Sequence, residues 1–374
     1  MDQSQDRFAE WTRFPARLLL AAVAFLLVAS ALVPVRAGKQ ETAVAGFVEN
    51  VAGTQNKAAE RPRDDDLALY DRVIARVGAG EDYYKVAAEE HRKADYPLRP
   101  GVAVRLPTLA WLAVLLGDTG RGAEVVVPGL LAAAIGLMLA TLWVWWRRFG
   151  DEGVSPSQRR FAMAFLFLGA SLGLNRYYFV LHELWAGMLI ALAIGLHRPG
   201  QRWLAALAVA ALALAIREHA LPFVLLMAAV AFWRRDWKEG LGWSALVLAF
   251  FAVLAWHLGQ VAGQVLPTDP VGPAWLTYRG LSGWLSNVVL SSNLRLLPHF
   301  IAGPIVVLAV FGWSGWRTPV GAFATLLYLG YGLAFMIAGR PDNFYWGAVI
   351  APAMFIGLAF VPMAGRSLWR AARV

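Results

Sequence analysis

The sequence predicts an all-α polytopic membrane protein with about ten transmembrane helices and a long first extracytoplasmic loop that forms juxtamembrane amphipathic helices. Three observations lead to this fold class. Of the 374 residues, 59% are hydrophobic and only 16% are charged, whereas an ordinary soluble domain carries about 25% charged residues. Apolar runs long enough to cross a bilayer, which takes roughly 17–25 residues of helix, recur along the chain. Lysines and arginines cluster between these runs, as expected for cytoplasmic loops.

The composition also excludes several classes of protein. Such a hydrophobic chain is neither a soluble globular enzyme nor a disordered protein. The sequence has no cysteine, which excludes a disulfide scaffold, a cysteine zinc site, an iron–sulfur cluster and a thiol nucleophile. The formal net charge is +9, but the basic residues flank the apolar runs. We interpret this charge as a topology signal and expect no nucleic-acid partner.

The apolar runs predict one integral-membrane domain, 1–374, with ten spans. These are 14–34, 123–146, 160–175, 179–197, 203–217, 220–234, 241–261, 297–314, 319–338 and 345–364. The first contains Ala29-Ser30-Ala31, which resembles a signal-peptidase site, so its cleavage remains an alternative. With ten spans, every basic cluster falls on one side. We therefore expect a bacterial inner-membrane protein with both termini in the cytoplasm and its site on the periplasmic or exterior side.

Two extracytoplasmic loops are expected, over 36–117 and 262–296, on either side of core helices in 123–261 and before C-terminal helices in 297–364. In the first loop, apolar residues at helical spacing predict amphipathic helices over 67–77 and 82–94. The apolar segment 106–116 is too short to span and is expected to lie in the outer leaflet. Residues 38–62 have the composition of a flexible stretch.

Three consecutive aspartates, Asp64, Asp65 and Asp66, stand at the start of the first loop helix. One aspartate is enough to cap a helix, so capping leaves two unexplained. Asp66 and Tyr70 are four residues apart and share a helix face. A carboxylate held at a membrane surface can act as the general base for an acceptor hydroxyl. An aspartate-rich metal site is an alternative, although no second acidic cluster is evident.

Ionisable residues also stand in the short outer connections, where they are costly and therefore functional by default. Arg217-Glu218-His219 interrupts two apolar runs with almost no loop, which suits an arginine that binds phosphate and a glutamate that holds it. An internal ion pair is the alternative. The remaining candidates are Arg176, His182, Glu183, Arg340, Asp342 and Asn343, and the last two are also ordinary turn residues.

The order of these features resembles the C-type integral-membrane glycosyltransferases, the GT-C superfamily. In that family a long outer loop follows the first transmembrane helix and begins with an acidic motif, with a tyrosine shortly after. Here the similar segments are Asp66-Leu67-Ala68-Leu69-Tyr70, Tyr96-Pro97-Leu98-Arg99-Pro100 and the short helix 105–116. The layout over 14–235 is similar to that of lipid A aminoarabinose transferase and protein O-mannosyltransferase. Leu67 replaces the acid that often follows the first motif residue, so Asp65 or Asp64 can align instead.

The resemblance implies an inverting glycosyltransferase that moves a sugar from a polyprenyl-phosphate donor to an acceptor hydroxyl on the extracytoplasmic face. An aspartate of the first loop is then the base, and the acceptor is a lipid, a glycan or a protein. The chemistry assigns the donor phosphate to Arg176, Arg217 and Arg340, with supporting roles for Tyr70, His182, Glu183, Glu218, His219, Asp342 and Asn343. Neither role requires a divalent metal, and membrane lipids are the other expected partners.

Two other functions remain open at this stage. A transporter or flippase of a lipid-linked or anionic solute also places arginines near the membrane, but it is expected to carry polar groups along a full path. A polymerase or ligase of surface polysaccharide also uses outer loops and arginines. The product distinguishes these two functions, because a transporter or flippase makes no glycosidic bond, whereas a polymerase or ligase makes long chains.

Overall fold

The structure is a computed structural model that describes residues 6–35 and 64–373. This part of the chain is predominantly helical and contains no β-strand, which confirms the all-α class. Its α-helices are α1 (Arg13–Leu32), α2 (Asp65–Gly78), α3 (Tyr83–Lys93), α4 (Thr108–Leu115), α5 (Pro128–Asp151), α6 (Pro156–Ala170), α7 (His182–Leu196), α8 (Leu204–Ile216), α9 (Leu221–Trp233), α10 (Trp237–Ala262), α11 (Gly280–Leu290), α12 (His299–Gly315), α13 (Pro319–Ile337), α14 (Ala351–Met354) and α15 (Val361–Arg373).

Five helical stretches of the described chain are long and apolar enough to cross a membrane: α1, α5, α10, α13 and Ala351–Arg373. Other apolar helices, such as α7, α8 and α12, have between 10 and 17 residues. Helix length therefore indicates an α-helical membrane protein but does not support the expected count of about ten spans. The predicted spans 203–217 and 220–234, for example, correspond to α8 and α9, which have 13 residues each and are separated by the 3-10 turn Glu218–Ala220.

The first loop contains the expected short helices. The predicted helices 67–77 and 82–94 correspond to α2 and α3, and the Asp82 carboxylate caps α3 by accepting from the Lys85 backbone N–H at 3.0 Å. The apolar segment 106–116 forms α4, which packs against α2. Apolar side chains of these three helices form one buried cluster with residues of α5 and α7. The predicted flexible stretch 38–62 lies outside the described residues.

The predicted second loop, 262–296, differs from expectation because it contains an interior helix. Residues 283–290 of α11 are all buried, and α11 packs against α13 and against a 3-10 segment, Pro341–Val349. Its polar residues Ser286 and Asn287 are also fully buried. In sequence, the mixture of small, polar and apolar residues in α11 is typical of a loop at the membrane interface. In the structure, α11 instead packs against other helical segments.

The predicted last span, 345–364, is not one helix. It consists of the end of Pro341–Val349, the short helix α14, a 3-10 stretch Phe355–Phe360 and the start of α15. Close backbone contacts fix the first of these segments. A Cβ on Gly187 of α7 would lie 2.1 Å from the Ala348 carbonyl oxygen, and a Cβ on Gly347 would lie 2.0 Å from the Asn287 carbonyl oxygen. Glycine therefore lets 341–349 wedge between α7 and α11.

Candidate functional site

A cavity of about 950 Å³, including its open mouth, lies where α2, the chain before α4, the α8–α9 turn and the segment after α13 meet. We call it the polar cavity. The sequence-selected residues that line it come from three distant parts of the chain: Asp66, Tyr70, Arg217, Glu218, His219, Arg340, Asp342 and Asn343. The fold thus brings most of the predicted site together.

Arg217 lies at the break between α8 and α9 and is held by two carboxylates. Its backbone is extended, with φ −147° and ψ 117°, which ends α8 and turns the side chain inward. The Nε atom lies 2.7 Å from Glu183 Oε1, and Nη1 pairs with Glu218 Oε1. The side chain is only 1% exposed. Because a buried charge needs such compensation, the two glutamates fix the guanidinium in the cavity wall.

Arg105 also lines the polar cavity, although the sequence analysis did not select it. Its side chain is 10% exposed, and Nη2 lies 3.9 Å from Glu183 Oε1 and 3.5 Å from the Tyr345 hydroxyl. Glu183 therefore stands between two guanidiniums. A signal was present in the sequence, because Arg105 stands immediately before the apolar segment 106–116, and a charge at the membrane boundary is costly.

Arg340 is oriented by the two residues that were predicted to support it. Its Nε donates to Asp342 Oδ1 at 3.0 Å, and its backbone N–H donates to Asn343 Oδ1 at 3.1 Å. The hydrogen bonds to Asp342 raise the pKa of the Arg340 guanidinium. Asp342 and Asn343 thus stabilise the turn and also position the Arg340 guanidinium. A structural role in the turn is therefore compatible with a role in binding.

The three aspartates occupy different environments. Asp66 lines the polar cavity and accepts a short hydrogen bond from the Tyr96 hydroxyl through Oδ1. Asp65 is exposed and lines none of the described cavities. Asp64 precedes the helix, and its backbone N–H donates to the Tyr177 hydroxyl at 3.2 Å. The Asp64 side chain makes no capping hydrogen bond. Position therefore favours Asp66 among the three candidates for a base.

Tyr70 lines the same cavity one turn after Asp66 on α2. Burial raises the pKa of Tyr70 to about 12, so the phenol stays neutral and can donate a hydrogen bond near pH 7. The His182 ring packs edge-on against the Tyr70 ring with 5.0 Å between centroids. His182 and Glu183, adjacent at the start of α7, thus support the cavity wall from behind, at Tyr70 and at the two arginines.

Aromatic rings form another part of the wall. Trp275 and Trp346 line the polar cavity, and the His219 ring lies 4.5 Å from the Trp346 ring between centroids. The Trp346 indole N–H is buried and has no hydrogen-bond partner among the described residues. Flat apolar faces next to free polar groups suit a sugar ring, which stacks on one face and accepts hydrogen bonds at its edge.

Arg176 is the predicted site residue that the fold places elsewhere. It is exposed and lines none of the described cavities, so it does not join Arg217 and Arg340. The other two residues of the 3-10 turn Arg176–Tyr178, both tyrosines, are partly buried against the apolar cluster of the first-loop helices, and the Tyr177 hydroxyl accepts from the Asp64 backbone N–H. The sequence showed a basic residue at a span end, but it did not show which side of the turn faces the cavity.

A second cavity, of about 760 Å³ including its mouth, adjoins the first, and we call it the apolar cavity. Its lining is mostly aliphatic or aromatic: Leu67, Leu172, Leu181, Leu184, Leu290, Phe344 and Ala348. The polar residues in it are Asp64, Asp66, Tyr178, Ser291, Arg295 and Tyr345. Asp66 and Tyr345 line both cavities and form the boundary between them.

The arrangement places three arginines in one cavity with three carboxylates, of which Glu218 and Asp342 pair with arginines. Asp66 is the carboxylate left beside them as a proton acceptor, which suits the binding of an anion next to a base. No family model, curated protein or solved structure matches the chain.

Proposed function

We propose that this protein is an inverting glycosyltransferase of the C-type integral-membrane superfamily that uses a polyprenyl-phosphate sugar as donor. One observation carries the proposal. Asp66, at the start of the first loop helix, shares a cavity with the guanidiniums of Arg105, Arg217 and Arg340. This is the combination that the reaction needs, a base for a hydroxyl and cations for a leaving phosphate.

The arginines suit a lipid phosphate. Arg217 is buried with its Nε 2.7 Å from Glu183, Arg105 is 10% exposed and lies 3.9 Å from the same carboxylate, and Arg340 is held by Asp342. Guanidiniums fixed in advance in a low-dielectric site stabilise charge that develops on a leaving group without the cost of reorganisation. Arg105 takes the place that the sequence analysis gave to Arg176.

The proposed step is a single displacement. The acceptor oxygen attacks the anomeric carbon while its proton passes to the Asp66 carboxylate. The bond between the anomeric carbon and the phosphate oxygen breaks, and the polyprenyl phosphate leaves with the electron pair beside the arginines. Attack from the face opposite the leaving group inverts the anomeric centre. A positioned carboxylate base contributes about 10²–10⁴-fold to the rate.

The charge pattern supports an extracytoplasmic location for the reaction. The basic clusters at Arg147 and Arg148 in α5 and at Arg234 and Arg235 after α9 do not line the polar cavity. Because such clusters are typical of the cytoplasmic side, we propose that the cavity opens on the extracytoplasmic face of a bacterial inner membrane and that both termini lie in the cytoplasm. That face suits a polyprenyl-phosphate donor better than a nucleotide sugar.

The test is a transfer assay in lipid nanodiscs with labelled polyprenyl-phosphate sugars and a bacterial lipid extract. We expect Asp66→Asn to bind donor as the wild type does and to lose transfer by at least about 10²-fold. Asp65→Asn, at an exposed position on the same helix, is the matched control and should transfer normally. Full activity of Asp66→Asn would reject the base assignment. Flipping of a lipid without a new glycosidic bond would support a transporter, and long glycan chains would support a polymerase.

A further inference from the structure

The boundary between the two cavities constrains the second substrate. The polar cavity contains three arginines, whereas five leucines, Phe344 and Ala348 make up just over half of the lining of the apolar cavity, and both cavities reach Asp66. A base at a boundary can receive a proton from a group on either side. Which substrate occupies the apolar cavity therefore depends on where the leaving group lies.

The geometry of the proposed reaction decides this question. Inversion requires that the nucleophile and the leaving group lie on opposite faces of the anomeric carbon. The proposed function puts the leaving phosphate in the polar cavity, beside Arg105, Arg217 and Arg340. The hydroxyl that Asp66 deprotonates then approaches from the other side of the boundary, through the apolar cavity.

The lining of that cavity selects the class of acceptor. Leu172, Leu181, Leu184 and Leu290 are all less than 10% exposed and give hydrocarbon contact. A peptide or a soluble glycan would have to bury many backbone or hydroxyl groups against such a surface, each at a cost of about 1–3 kcal/mol when unpaired. A hydrocarbon chain has no such cost and gains from the burial.

Six polar residues also line the apolar cavity, and Arg295 is the one cation among them. The Arg295 guanidinium lies 5.6 Å from the centre of the Tyr178 ring, and its Nη1 donates to the Tyr178 hydroxyl at 3.1 Å. The Ser291 hydroxyl donates to the Phe344 carbonyl oxygen at 2.7 Å. A cation held at the wall of a hydrocarbon-lined cavity is complementary to the phosphate or carboxylate of a lipid headgroup.

We infer that the acceptor is a membrane lipid with a hydroxyl-bearing anionic headgroup, which rests on the proposed glycosyltransferase function. Its hydrocarbon chains occupy the apolar cavity, its anionic group lies near Arg295, and its hydroxyl reaches Asp66 at the boundary. The protein accordingly glycosylates a lipid and not a polypeptide or a soluble glycan. The competing occupant of the apolar cavity is the polyprenyl chain of the donor, and the experiment separates the two.

The experiment compares Leu290→Trp, which fills the apolar cavity, with Leu248→Trp, a matched change at an exposed position on α10 (70% exposed). Donor affinity is measured with a labelled polyprenyl-phosphate sugar in nanodiscs, and transfer is measured to anionic and neutral lipid fractions separately. We expect Leu290→Trp to raise the KM for the acceptor lipid by at least about tenfold and to leave the donor Kd within about twofold. Leu248→Trp should change neither.

Two further measurements need no cavity-filling variant. In the wild type, acceptor lipids with progressively shorter chains should be progressively poorer substrates. Arg295→Gln should weaken transfer to anionic lipids more than to neutral ones, and Arg295→Lys should restore part of the preference.

Parallel loss of donor affinity in Leu290→Trp would show that the donor chain occupies the cavity and would overturn the inference. Label found on protein or soluble glycan would also overturn it. If the wild type neither binds nor consumes donor, the proposed function itself fails, which is a distinct result.

Discussion

Arg217 and Glu183 form an ion pair within the helical core, with 2.7 Å between Nε and Oε1 and each side chain 1% exposed. The arginine ends α8 and the glutamate begins α7, so the pair joins two helices at the wall of the polar cavity. Glu183 also lies 3.9 Å from Arg105. One carboxylate therefore positions two of the three cations that we assign to the donor phosphate.

The first prediction concerns this shared carboxylate. Glu183→Gln keeps the size of the side chain but removes its charge, which leaves two buried guanidiniums less compensated. Breaking a buried ion pair costs about 3–5 kcal/mol of stability in typical cases. We expect a loss at the lower end of this range, because Glu218 still pairs with Arg217. We also expect the KM for the donor to rise by about tenfold, because the guanidiniums lose their fixed positions.

The measurements are thermal unfolding in detergent and steady-state kinetics. Glu10→Gln is the control, since Glu10 forms an exposed pair with Arg317 and such pairs contribute only about 0–1 kcal/mol. A lower unfolding temperature with an unchanged KM for the donor would assign Glu183 a structural role only.

The second prediction concerns the partner of Asp66. The Tyr96 hydroxyl donates to Asp66 Oδ1, so it orients the carboxylate at the boundary of the cavities. Hydrogen bonds to charged groups contribute about 1.5–3 kcal/mol. Tyr96→Phe is therefore expected to lower kcat by roughly tenfold or more while donor binding persists. The comparison with Asp66→Asn is informative, because a Tyr96→Phe change added to Asp66→Asn should cost little further activity. Additive losses would mean that Tyr96 acts independently of Asp66.

Part of this architecture follows from the sequence because local patterns determine it. The periodic residues of α2 and α3 and the shortness of 106–116 are such local signals, and the structure confirms those elements. The grouping of Asp66, Arg217 and Arg340 could be anticipated, since buried charge at span ends is costly wherever it occurs. Arg105 followed the same rule and was missed.

The remainder depends on tertiary contacts that leave no periodic signal. Gly187 and Gly347 allow 341–349 to pack between α7 and α11, which divides the predicted last span. Arg176 is exposed, whereas Tyr177 and Tyr178 of the same turn are partly buried against the cluster of the first-loop helices. Both outcomes depend on which neighbours surround a residue, and spacing along one chain does not encode that.

The third prediction is a pH dependence of stability that arises at His91. This residue of α3 lines the polar cavity, is 5% exposed, and has Nδ1 3.3 Å from the Pro97 carbonyl oxygen. Burial lowers the pKa of His91 from 6.5 to about 4. The unfolded chain therefore binds more protons than the folded protein between these values, so stability falls as the pH falls from 6.5 towards 4. At pH 5 the loss is about 2 kcal/mol.

The matched comparison is the wild type against His91→Gln, whose amide can still donate to Pro97. We expect the unfolding temperature of the wild type to drop more between pH 7 and pH 5 than that of the variant. The other titratable groups are common to both proteins and cancel in the difference. Equal drops would indicate that His91 is solvated, and that the cavity wall around it is more open than the structure shows.

The fourth prediction concerns the segment 263–279, which carries Trp275 to the polar cavity. The Asp269 carboxylate accepts from Arg92 of α3, from Nε at 2.7 Å and Nη2 at 2.9 Å, and from the Leu266 backbone N–H at 2.7 Å. The hydrogen bonds from Arg92 lower the pKa of Asp269 to about 2. Because the folded pKa is depressed, this contribution to stability is complete above about pH 4 and is lost as the pH falls through about 2.

Asp269→Asn should therefore loosen the segment by the same amount at every pH between 5 and 8. The neutral amide has a single acceptor oxygen, so it cannot replace both charge-assisted hydrogen bonds from Arg92. We therefore expect faster backbone hydrogen exchange over 264–275. We also expect a higher KM for the donor, whose sugar we place near Trp275. Glu81→Gln is the control, since Glu81 pairs with Arg76 beside the same helix but at an exposed position and does not contact this segment. Exchange that stays slow in Asp269→Asn would mean that the backbone bond from Gly272 N–H to the Arg99 carbonyl oxygen is sufficient to hold the segment, and that the ion pair does not position Trp275.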